Sequence, residues 1–155
     1  MLHMQHAKGA NRLGMREDVI REMSRACLLT RTRRISRVLT SIYSQELRPF
    51  GINSPQFTLL VLISRLGPAS RAEIGRANHQ DRSTLTRNLQ LILFEGWVEE
   101  APHDAGGRNR AIILTKAGKD LLRDAATAWR AAQAKAATLL GRDGVTAVMG
   151  IAEDL

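Results

Sequence analysis

The sequence predicts a mainly α-helical chain of the α+β winged-helix class. A winged helix-turn-helix core carries long N- and C-terminal helices that dimerise. Three observations predict it. An amphipathic helix with a polar outer face begins after Asp81 and follows a short helix across a tight turn. The apolar period then switches from helical to alternating on either side of a glycine-jointed, arginine-bearing segment. Long apolar stripes without proline occupy both ends of the chain.

Composition narrows the function. At 155 residues and 44% apolar content, the chain suits one globular domain with helical extensions. Lys and Arg number 23 against 15 Asp and Glu, a net charge of +8, and 19 of the 23 are arginine. That bias favours recognition of phosphate or carboxylate over mere solubility. A basic surface by itself suits nucleic acid, an anionic membrane or an acidic protein equally. No apolar run reaches the roughly 18 residues of a membrane span, and residues 1–15 show no signal-peptide core. A cytoplasmic protein without membrane contact is expected. Cys27 is the single cysteine, which excludes an internal disulfide and a cysteine-based metal site. No cofactor and no metal are expected.

Residues 1–15 lack periodicity and are expected to form a disordered tail. His3 and His6 lie in it without a partner that would suggest metal binding, and Met15 is a second candidate start. Residues 16–48 predict a single long dimerisation helix. Val19, Ile20, Met23, Cys27, Ile35, Val38, Leu39, Ile42 and Leu47 step mostly by three or four. Some 30 residues at about 1.5 Å each give roughly 45 Å, longer than a compact domain of this size covers. Pro49 and Gly51 stop the helix. Arg31, Arg33, Arg34 and Arg37 read as a solvated or salt-bridged face.

Residues 49–115 form the expected DNA-binding core. Ser54-Pro55 opens a helix with Ser54 at the cap and proline at the first helical position, and Phe57, Leu60, Val61 and Ile63 form its apolar side. Ser70 with Glu73 is a capping box starting a short helix through Ala77. Asn78-His79-Gln80 turns into the next helix, capped by Asp81. Leu85, Leu89 and Ile92 share the inner face of that helix. Ser83, Arg87 and Gln90 lie opposite, with Arg82, Thr84 and Thr86 beside them. Arginine reads guanine and short polar groups reach bases and phosphates, so this face suits a DNA major groove. An ordinary amphipathic surface helix is the alternative. Two β-like segments, 97–101 and 111–114, then flank a tip carrying Arg108, Asn109 and Arg110. The tip reads as a wing for a minor groove or for phosphates, or as a flexible basic loop.

Residues 116–155 predict C-terminal dimerisation helices. Thr115 caps a stripe of Ala117, Leu121, Leu122, Ala125, Trp129, Ala132, Ala136 and Leu140, which Gly141 breaks. Val145, Val148, Met149, Ala152 and Leu155 continue it. The terminal helices carry more apolar surface than a small core can bury, which a homodimer resolves.

Over roughly residues 20–155 the chain resembles the MarR family of winged-helix transcriptional regulators. The carriers are SPQFTLLVLI, SRAEIGRANHQDRSTLTRNLQLILFEGWV, the arginine wing running into AIILTKAGKDLL, and WRAAQAK. The resemblance implies a triangular homodimer joined by its terminal helices. The Asp81 helix would enter the major groove of a pseudo-palindromic double-stranded operator, and the Arg108/Arg110 wing the adjacent minor groove. It implies repression released by a small, often aromatic, effector, with Tyr43, Phe57 and Trp129 as candidate pocket residues. Family wings place an aspartate two residues before the wing arginine, where Gly106 stands here.

Cys27 carries two readings. It falls on the apolar stripe of the first helix, as a small core residue would. Peroxide-sensing relatives carry a redox cysteine in this helix among tyrosines, whereas this chain has only Tyr43. The remaining alternative to an effector-controlled regulator is an architectural DNA binder. An enzyme is not expected, because neither Cys27 nor His79 has a base and oxyanion site around it.

Overall fold

The computed structural model describes residues 16–101 and 110–155. The expected tail, 1–15, lies outside the described residues. The described residues fall into two compact units, one ending at Val38 and the other beginning at Leu39.

In the first unit, residues 16–26 form α1 and Leu28 opens α2 (Leu28–Leu47). The single helix expected over 16–48 is therefore interrupted at Cys27. Backbone bonds still flank the break, from Cys27 N to Met23 O and from Arg31 N to Cys27 O. The Arg31 guanidinium donates to the Arg25 carbonyl at 3.0 Å through Nε, satisfying an acceptor beside the interruption. Val19, Ile20, Met23, Leu28 and Leu29 are exposed.

The second unit holds the core. After α2 a 3-10 turn, Arg48–Phe50, ends on Gly51, whose φ of 69° is open to glycine at little cost. Helix α3 (Ser54–Leu66) is capped by Asn53 rather than Ser54. Asn53 accepts from the Gln56 amide while Gln56 Oε1 accepts from the Asn53 amide, both at 3.0 Å. Its buried residues are Ser54, Leu59, Leu60, Leu62 and Ile63, and Val61 is exposed, so the apolar face expected from Phe57, Leu60 and Val61 is shifted. The reason is tertiary: α3 packs against α4, α5, α6 and a strand, and is covered on more than one side.

Helix α4 (Arg71–Ala77) starts with the expected Ser70/Glu73 capping box. His79 turns the chain with a φ of 47°, a conformation in which histidine is enriched among residues with a side chain. Helix α5 (Arg82–Phe94) follows and buries Leu85, Leu89 and Ile92 as expected. Strands β1 (Val98–Glu100) and β2 (Ile112–Leu114) pair antiparallel, Val98 with Leu114 and Glu100 with Ile112. An isolated bridge pairs Ala69 with Ile112 on the other side of β2.

Helix α6 (Lys116–Asp124) is capped by Thr115, and α7 runs Ala126–Glu153. The stripe expected to run unbroken to Leu140 is divided at Ala125, which is fully buried in the core. Gly141, at φ 69° and ψ 171°, supplies the break expected there. Within this unit Tyr43 Oη donates to Gln133 and Lys135 pairs with Glu46, tying the end of α2 to α7. No helix among the described residues is long and apolar enough to cross a membrane.

Candidate nucleic-acid interface

The interface is built on how α5 begins. The Asp81 carboxylate accepts from the Thr84 amide at 2.9 Å, the Ser83 hydroxyl at 2.6 Å and the Thr84 hydroxyl at 2.7 Å. The Ser83 hydroxyl, then the Thr84 amide and hydroxyl, hold it well below the usual carboxylate range. An ionised group at this end also complements the positive pole of the helix. The α5 N-terminus is therefore served by its own anion.

This changes what the polar face offers. The Ser83 and Thr84 hydroxyls are engaged as donors by Asp81, and the Thr86 hydroxyl donates to the Arg82 carbonyl at 2.7 Å. Arg82, Arg87 and Gln90 are exposed, and neither arginine forms an ion pair among the described residues. Beneath them Leu89 and Ile92 are almost completely buried, which fixes the rotation of the helix about its axis. Free guanidinium and amide donors on a rigid convex helix are suited to base edges in a major groove.

At the root of the hairpin Glu100 accepts from Arg71 at 2.7 Å and from Arg110 at 3.1 Å. The Arg71 hydrogen bond, ahead of the bond from Arg110, holds its carboxyl below the ordinary value. Arg110 is thus a root residue with a partner inside the chain. Arg108 and Asn109 lie outside the described residues. Sequence reasoning missed Arg71 and Glu100, because one sits at a helix start and the other in a strand. The signal that could have found them was the like-signed pair Arg71 and Arg110 on segments flanking one acidic strand end.

The candidate effector residues differ in burial. Tyr43 and Phe57 are half-buried against the core, whereas Trp129 is exposed. Burial raises the Tyr43 phenol above its ordinary value. An open apolar groove of about 440 Å³ lies on α1, lined by Arg16, Val19, Ile20 and Met23. Cys27 is half-buried at the helix break and is absent from the buried core, which corrects the core reading for the single chain. Thr30, through its side chain and then its backbone, lowers the Cys27 thiol.

Helix, turn, polar-faced helix and hairpin in this order define a winged helix-turn-helix protein. The MarR family model matches residues 50–109. The chain is 27% identical over 81 residues to the uncharacterised HTH-type transcriptional regulator YwoH of Bacillus subtilis, covering 52% of this chain and 58% of that one. It is 30% identical over 77 residues to the multiple antibiotic resistance protein MarR of Salmonella typhimurium, covering 50% of this chain and 54% of that one. The matched region thus spans little more than half the length of these curated relatives. Among solved structures, the transcriptional regulator MosR of M. tuberculosis in complex with DNA is 30% identical with a TM-score of 0.69, covering 83% of this chain and 95% of that one. A mutant MarR of E. coli complexed with operator DNA shares the fold, with a TM-score of 0.74 at 19% identity, covering 86% and 96%. The chain belongs to the MarR family of winged-helix transcriptional regulators.

Proposed function

We propose that the chain is a dimeric, sequence-specific regulator of transcription that binds double-stranded DNA through α5 and its hairpin. The observation that carries this is the outward face of α5, where Arg82, Arg87 and Gln90 are exposed above a buried Leu85–Leu89–Ile92 seam. Solved relatives bound to DNA support the same partner. Dimerisation is supported by apolar side chains left in water on the terminal helices. Ile20 and Met23 of α1 are 65% and 63% exposed, and Ile151 of α7 is 63% exposed. By family resemblance the regulator is a repressor, released by a small aromatic acid held near Tyr43, Phe57 and Trp129.

Selection of random duplexes with the purified protein tests the proposal. A dyad-symmetric site is expected, with half-sites about one helical turn apart. Recovery of no common sequence, with similar affinity for every duplex, would favour an architectural binder instead.

A further inference from the structure

We propose that Glu100 is an internal counter-ion that competes with DNA phosphate for Arg71 and Arg110 and so restrains sequence-indifferent binding. The inference rests on the DNA-binding reading above. The strand register explains why the three side chains meet. Ile112 is flanked by Glu100 in β1 and by Ala69 on its other side. Arg71 lies two residues beyond Ala69 and Arg110 two residues before Ile112, so antiparallel pairing carries both arginines toward the same end.

Two like charges brought together across a sheet repel unless an anion lies between them. Glu100 is that anion, at 2.7 and 3.1 Å. A guanidinium donates to carboxylate and to phosphate oxygens in the same forked geometry, so the two acceptors are interchangeable. The site is open to exchange. The side chains of Arg71, Arg110 and Glu100 are 46%, 55% and 29% exposed, and ion pairs this accessible are easily broken. The cluster stands at the hairpin root, within the part of the fold that the functional proposal brings to DNA. Glu100 thereby leaves one net positive charge where two would otherwise face a backbone.

Salt titrations of affinity for a random-sequence duplex test this, using wild type, Glu100→Gln, Glu100→Asp and Glu99→Gln, with thermal midpoints measured alongside. Glu99 is exposed and points to the opposite face of the strand. Glu100→Gln is expected to bind random DNA several-fold more tightly and to steepen the log–log salt slope by up to about 0.9 per protomer. Glu100→Asp keeps the charge but shortens the bridge, so its slope should shift in the same direction. Glu99→Gln should change little. Equal shifts in Glu99→Gln and Glu100→Gln, or a Glu100→Asp slope equal to wild type, would reduce the effect to general charge and overturn the inference. If Glu100→Gln does not fold, Glu100→Asp decides. If wild type binds no duplex, the DNA-binding reading falls and this inference with it; if wild type binds but the Glu100 variants match it, only the counter-ion role falls.

Discussion

Gly118 lies directly against the backbone of Trp97: a Cβ added there would stand 2.1 Å from the Trp97 carbonyl oxygen. The same carbonyl accepts from the Thr115 amide at 3.1 Å, and the Thr115 hydroxyl donates to the Gly96 carbonyl at 2.7 Å. The start of α6 is thereby docked onto the junction between α5 and β1. Alanine would gain about 1 kcal/mol of helix propensity over glycine. The obstacle is backbone rather than a flexible side chain, so overpacking of about 1–3 kcal/mol or more should win. Gly118→Ala is expected to lower the urea midpoint, and an unchanged or raised midpoint would refute the close contact.

Arg87 should read bases. A forked contact to guanine contributes about 1–3 kcal/mol of discrimination. Arg87→Ala should therefore weaken operator binding far more than random-duplex binding, collapsing the ratio between them. Equal losses on both duplexes would place the reading head elsewhere.

Asp81 should make α5 sensitive to acid. Its folded carboxyl lies below the ordinary value of 3.8, so its contribution is fully present above that value. As pH falls from there toward the depressed folded value, the cap is protonated and its contribution is lost. Asp81→Asn should be less stable at neutral pH and show a shallower fall in stability below about pH 4, given the ordinary aspartate range. Parallel stability–pH curves for the two proteins would count against the ionised cap.

The terminal helices should join two copies. Light scattering after size exclusion is expected to give about twice 17.2 kDa, with Ile20→Glu and Met23→Glu together shifting the protein to monomer and weakening operator binding. A wild-type monomer at micromolar concentration would defeat the dimeric reading.

Cys27 separates effector control from thiol control. Under effector control, Cys27→Ser should leave operator affinity and its response to peroxide unchanged. Loss of DNA binding on peroxide treatment that disappears in Cys27→Ser would establish the thiol reading instead.

Much of the fold was legible because it is set locally. The Ser70/Glu73 box, the Asp81 cap, the Leu85–Leu89–Ile92 period and the Thr115 cap each depend on residues within a turn or two of one another. The sequence alone also determined the arginine bias and the polar outer face of α5. Tertiary structure decided what involves distant partners. It shifted the buried face of α3, because α3 is enclosed by several elements and no single period describes it. It divided the C-terminal stripe at Ala125, which sits inside the core. It left the Arg87 and Gln90 side chains exposed above the buried Leu89 and Ile92. It also joined Arg71, Glu100 and Arg110, far apart in the chain, because strand pairing rather than spacing sets which charges meet.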